Sequence, residues 1–276
     1  MGRRLTLIAG SGALVPHVAG ALQRTGEPLQ IIALDKRPSL GANQMIWLDL
    51  DHPDSILAAV RDFKTSHLVL AGGVRISDTT RDKIADMFGA PGRFAGSLGD
   101  VGLAALLVVQ TRLMGVTLIG AHKVAPDLLA PRGHIAGPEL GADDLVLARK
   151  ALGVARNVGR LDLGQAVVMS GRRPIAAEDA AGTDALLERV AALKVQGVVG
   201  DGRYRLILAK ARKPKQPVFA DLPSIGPATI ANAAAAGVSI IVVEAANALL
   251  IERQALLAAA TANNIAVYGL TAPFYG

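Results

Sequence analysis

Short apolar runs that end near glycine alternate with helical segments along the first half of the chain. Residues 5–9, 29–34 and 67–71 are predicted to be strands, and residues 15–24 and 55–63 are predicted to be helices between them. Strands that are separated by helices form βαβ units, which pair their strands in parallel through right-handed crossovers. The first half is therefore predicted to be an α/β domain in which helices cover a parallel sheet.

The second half also alternates strands with helices. Its predicted strands are residues 165–169, 205–209, 238–243 and 265–268, and its predicted helices are residues 143–158, 183–193, 227–236 and 251–263. Between the halves, residues 131–142 are rich in proline and glycine, and we expect a linker there. The prediction is an N-terminal domain of residues 1–130 and a C-terminal α/β domain of residues 143–276.

The composition limits the classes of function. Hydrophobic residues make up 51% of the 276 residues and aromatic residues only 3%, which is typical of α/β layers built from small aliphatic side chains. The sequence has no cysteine, which excludes disulfides, zinc–thiolate sites and cysteine nucleophiles. A net charge of +6 favours an anionic partner, and the scarcity of aromatic side chains argues against nucleic acid. We expect a phosphorylated ligand or a membrane surface.

No stretch reaches the roughly 18 apolar residues that a membrane-spanning helix requires. Arg112, Glu244 and Glu252 interrupt the longest apolar stretches, and the apolar run near the N-terminus is too short for a signal peptide. The lack of cysteine fits a reducing cytoplasm. We therefore expect a soluble cytoplasmic protein that is at most peripheral to a membrane.

Glycine-rich turns follow two of the predicted strands of the first half. Gly10-Ser11-Gly12 follows the first strand, as the pyrophosphate loop does in a Rossmann fold, but the third glycine of the dinucleotide motif is replaced by Val15. Gly72-Gly73 follows a second strand, and His122 ends a third, which is predicted over residues 116–122. Ligands bind at the carboxyl ends of parallel strands, so these turns are candidates for binding a phosphate or a sugar. Ordinary tight turns and a structural histidine remain the alternative.

Two shorter segments of the second half also allow both a binding role and a purely structural role. Asp162 and Gln165 flank a turn that enters a predicted strand, and a glutamine there can bind a base or an amide, although an Asx turn explains the same pattern. Gly182-Thr183-Asp184 begins a predicted helix, where threonine and aspartate serve as caps and where phosphates also bind.

The segment from Lys210 to Gly226 concentrates the polar chemistry of the chain. Four cationic residues lie between positions 210 and 215, and Asp221 follows among several prolines that restrict the backbone. A solvated surface is the usual explanation of such a charge run. A rigid loop that carries cations and one carboxylate also suits a phosphate and Mg²⁺, because Mg²⁺ prefers one or two carboxylates together with substrate phosphates.

Eight short islands of sequence carry a resemblance to a known family. In the first half they are Leu7-Ile-Ala-Gly-Ser-Gly, Ala71-Gly-Gly-Val, Leu98-Gly-Asp and Gly120-Ala-His. In the second half they are Leu161-Asp-Leu-Gly-Gln-Ala-Val-Val, Gly182-Thr-Asp-Ala, Ala209-Lys-Ala-Arg-Lys-Pro and Asp221-Leu-Pro-Ser-Ile-Gly-Pro. In their order and spacing these islands resemble the LpxI family, whose members are UDP-2,3-diacylglucosamine pyrophosphatases of lipid A synthesis.

The resemblance implies a Mg²⁺-dependent hydrolysis of UDP-2,3-diacylglucosamine to UMP and 2,3-diacylglucosamine 1-phosphate. It implies that the substrate lies between a Rossmann-like N-terminal domain and a catalytic C-terminal domain. It also implies a homodimer formed through the C-terminal domain, with transient contact at the cytoplasmic face of the inner membrane. A different nucleotide-sugar enzyme and a non-catalytic carrier or sensor of a phosphorylated lipid are the alternatives.

The resemblance also assigns roles to particular residues. Asp221 would be catalytic and would bind Mg²⁺, and Lys210 and Lys213 would face the diphosphate. The second metal ligand would be Asp162, Asp184 or Glu244. The remaining residues expected to bind the substrate are Gly10, Ser11, Gly12, Gly72, Gly73, Gln165, Gly182 and Thr183.

Three positions depart from the family pattern. Val101 and Ala181 stand where an acid is frequent, and Pro217 replaces an aspartate. These changes weaken the roles of Asp100 and Asp184 and remove one candidate metal ligand, but they leave Asp221 in place.

Overall fold

A computed structural model of the chain describes residues 2–41, 44–74, 76–87, 100–215 and 222–271. The described residues divide into two compact units, which are residues 2–127 and the residues from 128 onward.

The first unit is a sheet with helices. Its described strands are β1 (Leu5–Ala9), β2 (Leu29–Ala33), β3 (Gln44–Trp47), β4 (His67–Ala71) and β5 (Thr117–Ile119). Its described helices are α1 (Leu14–Gln23), α2 (Pro53–Asp62), α3 (Asp78–Met87), α4 (Asp100–Leu113) and α5 (Ala121–Val124). Over the described ranges the strand order is β3-β2-β1-β4-β5, and every pairing is parallel. This order is that of a Rossmann-like sheet, so the predicted fold of the first half is confirmed.

The core of the first unit follows from the apolar runs that predicted its strands. Leu7 of β1 pairs with Ile31 of β2 on one side and with Val69 of β4 on the other, and all three are fully buried. Val15 and Val18 of α1 pack against the same cluster. Strands that are buried on both faces read as continuous apolar runs, which is why the sequence identifies them.

The second unit contains a mixed sheet. Its described strands are β6 (Gly133–Ala136), β7 (Ala166–Ser170), β8 (Arg173–Ala177), β9 (Leu206–Lys210), β10 (Ser224–Ile225), β11 (Val238–Glu244), β12 (Leu249–Leu250) and β13 (Ala266–Leu270). Its described helices are α6 (Ala142–Arg160), α7 (Gly182–Val195), α8 (Pro227–Ala235) and α9 (Arg253–Ala262). Among the described strands the large sheet has the order β6-β13-β11-β9-β7-β8, and β10 pairs separately with β12. Strands β9, β11 and β13 are parallel, whereas β7 and β6 run antiparallel to their neighbours.

Helices cover both faces of this mixed sheet. Leu152 of α6 packs with Ile207 and Val242 on one face. On the other face, Leu208 packs in one cluster with apolar residues of α7, α8 and α9, including Leu186. Because successive side chains of β9 point to opposite faces of the sheet, this strand contributes to both cores. The predicted α/β class of the second half is confirmed.

Several elements escaped the sequence prediction. Strand β6 lies within residues 131–142, where we expected a linker, and it pairs antiparallel with β13. The strand expected over residues 116–122 ends at Ile119, and His122 lies in α5, because the extended Gly120 begins that helix. Strands β3 and β8 and helix α3 are polar or partly exposed, so they lack the apolar periodicity on which the prediction rested.

Candidate functional site

Several strands of the second unit reach one edge of its large sheet. Strands β9 and β11 are parallel and both end there, at Lys210 and Glu244. Strand β7 runs in the opposite direction and begins there, with Ala166 paired to Lys210. Strand β8 is antiparallel to β7, so the residue after its end, Glu178, reaches the same edge. Because α/β sheets bind ligands at the carboxyl ends of their parallel strands, this edge is the candidate site.

Lys210 has a buried side chain at this edge, with only 5% of the residue exposed. It lies on the same face of β9 as Leu208, which belongs to the core beside α7 and α8. Its Nζ donates hydrogen bonds to Thr183 Oγ1 at 2.9 Å and to the Ser224 carbonyl at 3.0 Å. A buried ammonium requires such acceptors, because burying an unpaired charge is costly. The structure thus brings together Lys210 and Thr183, two residues that the sequence proposed for the site.

Glu178 is a member of this network that the sequence analysis missed. Its Oε1 accepts a hydrogen bond from Thr183 Oγ1 at 2.6 Å, and its Oε2 accepts one from the backbone N–H of Gln165 at 2.7 Å. The residue is 8% exposed. The packing is close, because a Cβ added at Gly164 would lie 2.6 Å from the Glu178 carbonyl oxygen. The sequence feature that could have identified Glu178 is its position four residues before Gly182-Thr183.

Lys213 is paired with a residue that the sequence proposed as a metal ligand. Its Nζ lies 2.9 Å from Asp162 Oδ1, and its side chain is 7% exposed. Asp162 has a left-handed backbone conformation (φ 57°), which aspartate tolerates better than most residues. A Cβ added at Gly159 of α6 would lie 3.1 Å from the α-carbon of Lys213, so this glycine permits the close approach. Lys213 and Lys210 therefore have different hydrogen-bond partners.

Glu244, another proposed metal ligand, is engaged by hydrogen bonds at both carboxylate oxygens. Its Oε1 accepts from Arg156 at 3.2 Å and from Asn247 at 3.3 Å, and its Oε2 accepts from the backbone N–H of Arg212 at 3.1 Å. These contacts fix the chain just after Lys210. Glu244 is thus placed to hold the loop that follows β9.

The proposed metal ligands are not gathered into one cluster in the described part of the chain. Asp184 accepts a hydrogen bond from Asn232 on an exposed surface, and Gly182 begins α7 with a positive φ of 88°. Within residues that the structure describes, no group of three or more histidine, aspartate or glutamate side chains is placed to hold a metal. Asp221, the predicted catalytic residue, lies outside the described residues.

In the first unit, the two predicted glycine turns pair with each other. The backbone N–H of Ser11 donates to the Gly73 carbonyl at 2.8 Å, and the N–H of Gly73 donates to the Ser11 carbonyl at 3.0 Å. Ser11 Oγ also donates to the Gly73 carbonyl at 3.0 Å. Gly12 and Gly72 both have positive φ angles, of 97° and 90°. The two turns therefore lie together at the carboxyl ends of β1 and β4.

Gly10→Ala is expected to destabilise the first unit, whereas Gly20→Ala is expected to stabilise it. A Cβ at Gly10 would lie 2.4 Å from the Gly73 carbonyl oxygen, while a Cβ at Gly20 of α1 meets nothing closer than 3.7 Å. We expect the free energy of unfolding to fall by about 1–3 kcal/mol for the first variant and to rise by about 0.5–1 kcal/mol for the second. Denaturant unfolding of both variants tests this, and equal stability of Gly10→Ala and the wild type would contradict the close packing.

An apolar cavity of about 410 Å³ lies beside the Gly72-Gly73 turn in the first unit. The side chains that line it come from strands and helices of that unit and include Ile8, Leu34, Leu50, Ile56, Leu57, Leu70, Ile84, Met87, Leu103 and Leu107. The volume lies in the range of ligand pockets, which are mostly lined by apolar side chains. The cavity therefore suits an apolar ligand.

His122 is the remaining residue that the sequence analysis named at a strand end. Its Nδ1 is shielded from solvent and has no hydrogen-bond partner among the described residues. Burial, and secondly the charge of Lys123, lower the pKa of His122 below its usual value. The ring is therefore biased toward its neutral form.

Models of two protein domains match the chain over almost its full length. The LpxI N-terminal domain matches residues 4–128, and the LpxI C-terminal domain matches residues 131–268. The chain belongs to the LpxI family. One LpxI relative, the UDP-2,3-diacylglucosamine pyrophosphatase LpxI of Caulobacter vibrioides, is 34% identical over 278 residues, which cover 97% of this chain and 98% of the relative. The resemblance seen in the sequence islands is confirmed.

Two solved structures illustrate the partial similarity of this LpxI chain to known folds. L-threonine dehydrogenase from Phytophthora infestans shares 13% identity with a TM-score of 0.28, over 49% of this chain and 38% of that one. UDP-glucose 4-epimerase from Thermus thermophilus, in complex with NAD, shares 18% identity with a TM-score of 0.30, over 50% of this chain and 41% of that one. At such TM-scores these matches carry no weight for function.

Among the described residues, no helix combines the length and the apolar character that crossing a bilayer requires.

Proposed function

We propose that this chain hydrolyses the diphosphate of UDP-2,3-diacylglucosamine and releases UMP and 2,3-diacylglucosamine 1-phosphate. The observation that carries the proposal is the end-to-end match to a relative named as that pyrophosphatase, which extends through both domains. The match therefore includes the edge of the second sheet, where Lys210, Thr183 and Glu178 form a buried network.

Lys210 has the chemistry that this reaction needs. Hydrolysis of a diphosphate adds water to one phosphorus and breaks its bond to the bridging oxygen, so negative charge develops on the leaving phosphate. A fixed ammonium stabilises that charge without reorganising during the reaction, and one such group is typically worth about 10²–10³ in rate. The hydrogen bonds to Thr183 and Ser224 hold the Lys210 ammonium in place.

Mg²⁺ dependence is part of the proposal and is supported by the chemistry of the substrate. The carboxylates that the structure describes do not form a ligand set, since Asp162 pairs with Lys213 and Glu244 with Arg156. Mg²⁺ is often bound by one or two carboxylates together with substrate phosphates, so a preformed cluster is not required. Asp221 would supply the carboxylate, and the ion would neutralise diphosphate charge.

The apolar cavity of the first unit supports a lipid substrate. A diacyl sugar needs an apolar surface for its acyl chains, and the cavity of about 410 Å³ beside Gly72-Gly73 provides one. We propose that an acyl chain occupies it. That the substrate is held between the two domains, that the chain forms a homodimer and that it contacts a membrane surface stay predictions from the family resemblance.

The decisive experiment incubates the purified chain with UDP-2,3-diacylglucosamine, with Mg²⁺ or with EDTA, and measures UMP. We expect UMP only with Mg²⁺, and no release from UDP-N-acetylglucosamine, the matched substrate without the two long acyl chains. Tight binding of the lipid without UMP would contradict the proposal and indicate a carrier.

Hydrolysis in ¹⁸O-labelled water locates the attacked phosphorus. We propose that water attacks the phosphorus bound to the glucosamine, which places the label in the lipid phosphate. Label in UMP would overturn that assignment and leave the hydrolase activity intact.

A further inference from the structure

Glu178 is a buried carboxylate at the candidate site, with 8% of the residue exposed. It links three parts of the second unit: the end of β8, which it follows; the start of β7, through the N–H of Gln165; and α7, through Thr183. The family resemblance pointed to neighbouring residues but not to this one. Its two hydrogen bonds, of 2.7 and 2.6 Å, show that its placement is closely defined.

The hydrogen bonds around Thr183 have a fixed direction. A lysine ammonium only donates hydrogen bonds, so Thr183 Oγ1 is the acceptor in its contact with Lys210. A hydroxyl has a single proton, and at 2.6 Å from the Glu178 carboxylate that proton points to Glu178. Glu178 thereby leaves the lone pairs of the hydroxyl facing Lys210. The direction of the Thr183 hydroxyl depends on Glu178 remaining an acceptor.

The charges of this network also complement each other. Lys210 and Glu178 are both buried, at 5% and 8% exposure, and one hydroxyl separates their charged groups. A buried charge is stable when an opposite charge and hydrogen bonds accompany it. The second oxygen of Glu178 is held by the backbone N–H of Gln165, so the carboxylate is anchored independently of Thr183.

We infer that Glu178 is a positioning residue, which acts through the Thr183 hydroxyl to hold the Lys210 ammonium in its reactive place. The inference rests on the proposed function in one respect: the role of Lys210 on the diphosphate. It assigns to Glu178 no contact with the substrate.

Glu178→Gln tests the inference while nearly preserving the shape of the side chain. An amide has one acceptor oxygen and one donor nitrogen, so its nitrogen must face either the Gln165 N–H, which is a donor, or the Thr183 hydroxyl. We expect kcat to fall about tenfold, the size of losing one hydrogen bond to a charged group, with KM changed less than about twofold. Glu188→Gln is the matched control, because Glu188 is an exposed glutamate of α7. Equal kcat values in the two variants would overturn the inference.

Thr183→Val separates a positioning role from a general loss of structure. It removes the hydroxyl and leaves the contact between Glu178 and the Gln165 N–H intact. We expect the double variant Glu178→Gln/Thr183→Val to lose no more activity than Thr183→Val alone, because Glu178 acts through that hydroxyl. Additive losses would overturn the inference. If Glu178→Gln does not fold, an unchanged kcat in Thr183→Val would overturn it as well.

A turnover-independent readout keeps this inference distinguishable from the proposed function. The side-chain resonances of ¹³C-labelled lysine report the surroundings of Lys210, which Lys210→Met identifies by its missing signal. We expect Glu178→Gln to displace the Lys210 signal and Glu188→Gln to leave it unchanged. If the wild type releases no UMP, the proposed function fails, and the displaced signal alone supports the positioning role. An undisplaced signal overturns the positioning role whether or not UMP is released.

Discussion

Asp221→Asn is expected to lower kcat for UMP release by about 10²-fold or more, the scale of losing one electrostatic group in the transition state. Substrate binding should persist, because the amide keeps the size of the side chain and loses only its charge. Only Leu222 and Pro223 separate Asp221 in sequence from Ser224, whose carbonyl accepts a hydrogen bond from Lys210. The carbonyl of Pro223 is likewise fixed, since it accepts the N–H of Leu249 at 2.8 Å. Asp221 is thus followed in sequence by two residues, Pro223 and Ser224, whose carbonyls are held by hydrogen bonds.

Asp201→Asn is the matched control for Asp221→Asn, because Asp201 is an exposed aspartate of the second unit. UMP release gives kcat, calorimetry with UDP-2,3-diacylglucosamine gives binding, and circular dichroism checks the fold. A folded Asp221→Asn protein with the turnover of Asp201→Asn would contradict the catalytic role. A large rise in Kd with unchanged kcat would contradict it too, since the residue would then only bind substrate.

The fold could be predicted from the sequence where the chain is most buried. Strands β1 and β4 are apolar runs that end at glycines whose close packing admits no side chain. The apolar pattern and the glycine turns therefore predict the same strands and the same strand ends. Strand β8 could not be found in this way, because it lies at the edge of its sheet, contains Pro174 and has no fully buried residue. It is held by pairing with β7, which is a tertiary contact.

The candidate site was predictable in its residue types but not in its contacts. Missing β8 also hid Glu178, because that residue follows directly after the strand. The family resemblance assigned Lys210 and Lys213 to the same diphosphate, and nothing in the structure tests that assignment. The structure gives them different partners, Thr183 and Asp162, since Lys210 ends β9 whereas Lys213 approaches the end of α6 across Gly159. Which acceptor each cation meets depends on helix packing, and local sequence does not encode that packing.

Lys210→Met is expected to lower kcat by about 10²–10³-fold, because it removes a fixed positive charge from the proposed site of the diphosphate. Methionine suits the buried, apolar surroundings of the stem, so the fold should persist, although Thr183 Oγ1 and the Ser224 carbonyl lose a donor. Lys215→Met is the matched control, because Lys215 is an exposed cation in the loop that follows Lys210. Both variants change the net charge equally, and we expect Lys215→Met to keep its turnover within about twofold. UMP release, KM and the unfolding midpoint are measured for both variants.

Lys210→Met also defines what the Glu178 network contributes. If Glu178 acts only by holding the Lys210 ammonium, adding Glu178→Gln to Lys210→Met should cause no further loss of kcat, because nothing remains to be positioned. A further tenfold loss would mean that Glu178 acts on the reaction by a second route. If a folded Lys210→Met protein kept the kcat of the wild type, the Lys210 ammonium would have no role in the mechanism. The buried network would then be purely structural. Both results are read from the same UMP assay, with circular dichroism to confirm that each variant is folded.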